Sequence, residues 1–259
     1  MSWDDLRGRG VIAGVNRYDT ARFGIRTARV VVRQDEGDVI GAAAEIASHL
    51  SRIDPEVAII RWPAALVELG QVVAGAGWRI HPADTLVYWS VPVRRGRAPE
   101  GDLTSPADQP GLAVRLPGLV RDVFANYPNH YLASTQFDPR AVLDGYVEWA
   151  TRTAEESPAR CFLLVRGGEV VSFATTVLLT DGSLEVELAG TAAHQRNSGH
   201  YRALMHGLLG EAAAIGAPRL LISTQAGNTA VQSAWASLGL RPLSAFTTVH
   251  AWPIDARDG

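Results

Sequence analysis

Hydrophobic and polar positions along this 259-residue chain fall into alternating blocks of short apolar runs and period-3.6 stripes. Ala28–Arg33 and Glu56–Arg61 read as strands, Asp38–Ile53 and Ala64–Ala76 as helices, and Thr85–Val91 as a third strand. After a break, helices are predicted near Gly118–Asn126 and Pro139–Glu155. A β-meander follows: Cys161–Arg166, a Gly167–Gly168 turn, Glu169–Leu179, a Thr180–Asp181–Gly182 turn, and Leu184–Gly190. From Gly199 the period returns to 3.6, with Leu204, Leu208, Ala212 and Ile215 on one face, stopped by Gly216 and Pro218. Leu220–Gln225 reads as a strand, Asn228 as the cap of a helix burying Val231, Ala234, Trp235 and Leu238, and Phe246–Trp252 as the last strand.

The break is Arg94–Gly111, where Pro99, Pro106 and Pro110 stand among Gly, Asp, Ser and Arg, a composition that reads as a linker or long loop. It divides the chain into a first region, 1–93, a linker, 94–110, and a second region, 111–259. The two regions repeat one another. Gly77, Arg79, Ala83, Thr85 and Val87 match Gly239, Arg241, Ala245, Thr247 and Val249, each 162 residues further on. The same offset lays Gly37 on Gly199, and Ala42, Ile46, Leu50 and Ile53 on the stripe Leu204, Leu208, Ala212 and Ile215. One offset serving three segments predicts a duplicated β-α-β-α-β core.

Composition narrows the chemistry. All 24 basic residues are arginine, so Schiff-base, Walker-A and kinase chemistries that need a lysine amine are excluded. A single Cys161 leaves no intrachain disulfide, thiolate zinc site or iron–sulfur cluster, and the histidines lack metal-ligand spacing, so no metal is expected. The net charge of −3 argues against a general nucleic-acid partner. No apolar run is long enough for a bilayer and Met1–Gly10 lacks a secretory pattern, so a cytoplasmic protein with no membrane partner is expected. A homodimer is a possible assembly.

The strand end Leu188-Ala189-Gly190-Thr191, followed by Arg196-Asn197-Ser198-Gly199-His200-Tyr201 and an amphipathic helix, is a candidate anion cradle. An ordinary strand-to-helix turn is the alternative reading. This order of elements resembles the GCN5-related N-acetyltransferase superfamily, whose pyrophosphate loop follows Arg/Gln-x-x-Gly-x-Gly/Ala. Arg196 and Gly199 match that motif and Tyr201 replaces its last small residue. A narrower resemblance, to the two-module acetyltransferases that include TDP-fucosamine N-acetyltransferase, lies in Tyr18-Asp19-Thr20-Ala21-Arg22-Phe23-Gly24, Asn129-His130-Tyr131, Gly145-Tyr146-Val147-Glu148-Trp149 and Thr224-Gln225-Ala226-Gly227-Asn228 with Trp235. Tyr18, Leu240 and Tyr201 depart from that group's commonest patterns.

The resemblance implies an α+β fold: a mixed, largely antiparallel sheet flanked by helices, present as an incomplete N-terminal copy and a complete C-terminal one. It implies acetyl-CoA as co-substrate and a primary amine of a small molecule, such as a nucleotide-linked amino sugar, as acceptor. Ala189, Gly190, Thr191, Arg196, Asn197, Ser198, Gly199, His200, Tyr201, Asn228 and Trp235 are then expected to hold the cofactor. In the first copy the corresponding loop is Gln34-Asp35-Glu36-Gly37-Asp38-Val39, whose three carboxylates would repel a pyrophosphate.

Amine acylation needs a proton acceptor, a stabilised carbonyl oxygen and a departing thiolate. Glu185 and Glu187, two apart on one predicted strand, should share a face. They read as a base and an ammonium partner, or else as a solvated strand face. His130 is a further candidate base, or a loop hydrogen-bonder. The superfamily often places a tyrosine seven residues after the asparagine as an acid; here that position is Trp235, and indole cannot serve as an acid at neutral pH. A catalytically inert acyl-CoA-binding or sensing protein is the alternative function.

Overall fold

The computed structural model describes residues 2–93 and 103–254. The described strands form one ten-stranded sheet in the order β1-β2-β3-β10-β4-β9-β8-β7-β6-β5. The first half contributes α1 (Trp3–Leu6), β1 (Val11–Val15), α2 (Arg17–Phe23), β2 (Thr27–Val32), α3 (Val39–Ile53), β3 (Val57–Pro63), α4 (Leu69–Gly75) and β4 (Trp78–Pro92). The second contributes β5 (Leu103–Thr104), α5 (Leu116–Phe124), α6 (Pro139–Glu156), β6 (Cys161–Arg166), β7 (Glu169–Leu178), β8 (Leu184–Thr191), α7 (His200–Ala214), β9 (Arg219–Gln225), α8 (Thr229–Ser237) and β10 (Arg241–Pro253).

Side-chain alternation sorts the helices onto two faces. Ala28, Val30, Ala58, Ile60, Val249 and Ala251 pack with Ala42, Ile46 and Leu50 of α3, and Leu184, Val186, Leu220 and Ile222 pack with Leu204, Leu208 and Ala212 of α7. The opposite face carries α1 against Tyr88, Leu221 and Phe246, and α5 and α6 against Leu163, Phe173 and Leu188. Two strand pairs are parallel, β2 with β3 and β8 with β9; the others are antiparallel. The closing strands are interleaved: β10 lies between β3 and β4, and β4 lies between β10 and β9. Thr85 of β4 faces Thr247 of β10, the pair that the repeat in sequence matches to one another.

Several elements differ from the sequence reading. Residues 103–104, expected within the linker, pair with β6, while 94–102 lie outside the described residues. The helix expected from Ala64 starts at Leu69, because Leu66 N–H bonds to Pro63 C=O and Leu69 N–H to Leu66 C=O in a separate turn. The strand expected over Thr85–Val91 starts at Trp78 and that over Phe246–Trp252 at Arg241, since each gains a neighbour along its length and Pro82 falls where the register shifts. The elements α1, β1 and α2 were not expected at all: four, five and seven residues long, they are too short for a period to emerge.

Candidate active site

The parallel pairing of β8 with β9 covers three rungs, Leu184–Leu220, Glu185–Leu221 and Val186–Ile222, and then stops. The cause is a bulge: Thr175 faces Leu188 while Thr176 faces Val186, so Glu187 is the extra residue of β8. Beyond it β8 stays with β7 through Thr191 and leaves β9. Alternate N–H groups of Leu188–Gly190 point away from β7 into that opening. Gly190 is required here, because a Cβ would lie 2.2 Å from Val123 Cγ1 on α5.

Past the strand end, Asn197 (φ 63°) and Gly199 (φ 78°) are both left-handed, and Gly199 is the N-cap of α7. This sequence of backbone turns gathers amides at a 15-residue helix's N-terminus, the geometry that suits an anion. The matching turn in the first half is filled by its own side chains. Glu36 Oε1 accepts from the N–H groups of Gly37 and Asp38 at 3.0 and 2.9 Å, its Oε2 accepts from Gly10 N–H at 3.0 Å, and Asp38 Oδ1 accepts from Gly41 N–H at 2.9 Å. These amides, led by that of Asp38, hold the Glu36 carboxyl below its ordinary range.

Opening and loop adjoin a cavity of about 1320 Å³ whose wall is drawn from both halves. All but one of the expected site residues line it: Glu185, Glu187, His130, Ala189, Gly190, Thr191, Arg196, Asn197, Gly199, His200, Tyr201, Asn228 and Trp235 do, and Ser198 does not.

Glu185 is 3% exposed. Its Oε2 accepts from Trp3 N–H at 2.7 Å and its Oε1 from the Tyr88 hydroxyl at 3.1 Å. Burial lifts its pKa to about 7, against the lowering effect of those two donors. Glu187 is raised as well, chiefly by burial, with Trp149 and Arg152 beside it. Simple alternation does not hold across the bulge, because Leu184 and Val186 face α7 whereas Leu188 lies on the α5 and α6 side. Both carboxylates line the cavity, and the bulge brings Leu188 to their side of the sheet.

His130 is buried, with Nδ1 3.2 Å from His250 Nε2. Burial first, then the charges of Arg61 and Arg29, hold its pKa well below the usual value; at neutral pH it is an uncharged ring and a weak base. Asn228 stands at the N-cap of α8 as expected, but its side chain makes no capping bond: its Nδ2 turns back and donates to Thr224 Oγ1 at 3.0 Å. The two departures from the superfamily motif are joined: Trp235, 1% exposed, donates its Nε1–H to the Tyr201 hydroxyl at 2.9 Å.

The sequence reading missed the residues that the first half sends into the cavity. Asp19, 2% exposed, accepts from Asn16 Nδ2, from Tyr131 Oη at 2.9 Å, from Arg22 at 3.1 Å and from Arg29 at 3.3 Å. The segment Tyr18–Gly24 thus joins α2, β2 and the 3₁₀ turn His130–Ala133. Arg61 and Tyr88 sit in apolar strand runs without any flanking signal, and only their facing partners single them out. Among the described residues no group of three or more His, Cys, Asp or Glu is placed to hold a metal, and no helix is long and apolar enough to cross a membrane.

Solved structures share this fold. A GCN5-related N-acetyltransferase from Sphaerobacter thermophilus superimposes with a TM-score of 0.62 at 16% identity, over 95% of this chain and 78% of its own. One from Kribbella flavida gives 0.51 at 18% identity, over 89% and 84%. The fold is that of the GCN5-related N-acetyltransferases. A glucosamine N-acetyltransferase region within a fungal multi-domain GH3 β-N-acetylglucosaminidase gives 0.55 at 9% identity, over 86% of this chain and 30% of that one. Comparison with family models gives no match, and neither does comparison with curated proteins.

Proposed function

We propose that this protein is an N-acetyltransferase that moves the acetyl group of acetyl-CoA to a primary amine of a small molecule, in a ternary complex. The observation that carries this reading is the parting of β8 from β9 after Val186, which opens the sheet beside a helix N-terminus suited to an anion, the buried Glu185 and the half-buried Glu187. The residues fit acetyl-CoA: the 196–200 amides and Arg196 would hold the pyrophosphate, and the unpaired amides of Leu188–Gly190 the acyl arm. When bound, acetyl-CoA supplies an activated acyl group and a thiolate leaving group.

In this reading the chain's own groups do the rest. Glu185, with a pKa of about 7, takes the proton of the acceptor ammonium, directly or through a water. Glu187 holds the ammonium before transfer. An N–H of Leu188–Gly190 stabilises the charge that develops on the carbonyl oxygen. Trp235 occupies the position of the superfamily's acid residue and donates its Nε1–H to the Tyr201 hydroxyl. His130 shapes the wall without ionising.

We further read residues 1–93 as an incomplete copy of the fold and 111–259 as the complete one. This reading is supported by the common offset in sequence, the Thr85–Thr247 pairing and the self-filled turn at Glu36. The acceptor class is an amino sugar, carried on a nucleotide, in keeping with a cavity far larger than a simple amine requires. A thiol-trapping assay with acetyl-CoA across amino sugars and other primary amines tests the proposal. Amine-dependent thiol release is expected; binding of acetyl-CoA with no release for any amine would make the protein an acyl-CoA binder instead.

A further inference from the structure

The far end of the cavity, away from the β8 opening, is built from arginines. Arg29 of β2 and Arg61 of β3 both line it, and Arg61 is 8% exposed. Burial first, and the nearby charge of Arg29 as well, weaken the hold of Arg61 on its proton, against the pull of Asp84. Buried guanidiniums are costly unless paired, and the pairing here is incomplete. Arg61 Nε donates to the Thr248 hydroxyl at 2.9 Å, and no described carboxylate is recorded within ion-pair distance of it. Asp84, on the other side of Thr248 across β10, acts on Arg61 only through space, and its two buried oxygens have no hydrogen-bond partner. Arg29 gives one terminal nitrogen to Asp19 and Tyr131, both at 3.3 Å, while its buried Nε has no partner. Arg22 competes for the same Asp19.

Arg22 and Arg29 thus share the buried Asp19 at the floor, Arg22 reaching Glu148 as well, while Arg61 stands in the same wall without an ion pair among the described residues. We infer that this floor is a binding site for an anionic group, a phosphate or a carboxylate, on the acceptor. The inference rests on the acetyltransferase reading only for the word acceptor. Tyr88, bonded to Glu185 at one side and within the field of Arg61 at the other, separates the two functions. The amine therefore sits at one end of the acceptor and the anion at the other, with several bonds between. Guanidinium forks suit both oxyanions.

The test uses matched pairs on the full chain: glucosamine against glucosamine 6-phosphate for the phosphate, and 6-amino-1-hexanol against 6-aminohexanoate for the carboxylate, with 1,6-diaminohexane as the cationic control. Thermal shift without acetyl-CoA reads binding alone, and thiol release with it reads turnover. In at least one pair the anionic member should bind tenfold or more tightly than its neutral partner, and the arm that shows it identifies the anion. In Arg61→Gln and Arg29→Gln, checked for folding by circular dichroism, the ratio should fall towards one. Equal binding of both members of both pairs in the wild-type protein, or an anion preference that both variants retain, would overturn the inference. If acetyl-CoA fails to bind, the enzyme reading falls while the thermal shifts still decide this one.

Discussion

Trp3 and Glu185, 182 residues apart in sequence, are joined by a 2.7 Å hydrogen bond from a backbone amide to a buried carboxylate. The first helix of the chain thereby holds the residue that the proposed chemistry depends on. Tyr88 completes the clamp from β4, so both donors come from the first half and the carboxylate from the second.

Replacing the base should remove one limb of the pH profile. The wild-type rate should rise with pH through about 7, the Glu185 pKa, and then level off. Glu185→Gln should lower kcat at pH 7 by about 10²–10⁴, leave acetyl-CoA affinity nearly intact, and follow the acceptor amine's own ionisation without levelling. A Glu187→Gln variant should instead raise the acceptor KM. Initial rates from pH 6 to 9 measure both, and wild-type rates in both variants would exclude the pair.

Glu185 also couples stability to pH. Its folded pKa of about 7 lies above the ordinary 4.5, so the fold binds more protons than the unfolded chain between those values, and stability falls as pH rises through that window. Glu185→Gln lacks this component. Its melting temperature relative to wild type should increase from pH 5 to pH 8, by an amount corresponding to roughly 3 kcal/mol at most.

Tyr88→Phe removes a donor that favours the ionised carboxylate. The acid limb of the rate profile should move upward in pH, and Tyr88→Phe should change the acceptor KM less than Glu187→Gln does. A limb that stays in place would show that the hydroxyl does not tune Glu185.

The Trp235–Tyr201 bond should behave as a unit. Tyr201→Phe leaves a buried indole N–H without its partner and should cost about 1–3 kcal/mol. Trp235→Phe and Tyr201→Phe combined should cost less than the sum of the two, and additive losses in denaturant unfolding would contradict the coupling.

These residues show what a sequence can and cannot reveal. The long elements were legible because α3 and α7 bury Ile46, Leu50, Leu204 and Leu208 on one stripe. Cys161–Arg166 was bounded correctly by its glycine turn. The loop before α7 was legible through Gly199, whose left-handed backbone leaves a trace in composition. The cavity wall from the first half was not: Asp19, Arg29, Arg61 and Tyr88 line it through partners in other elements, and strand order is not written in any local window. Glu185 and Glu187, expected to share a face, both line the cavity, but alternation alone would not have placed Leu188 on the side of Glu185. The departures at Tyr201 and Trp235 were each visible, but only their contact shows that one answers the other.

The most direct test of the account is a calorimetric titration of the full chain with acetyl-CoA, repeated on Gly199→Glu. A side chain at Gly199 is strained at φ 78°, and a carboxylate there would oppose a bound pyrophosphate. The account predicts one site per chain in the wild-type protein and no detectable binding in a folded Gly199→Glu variant. Two sites per chain, no wild-type binding, or unchanged affinity in the variant would contradict it.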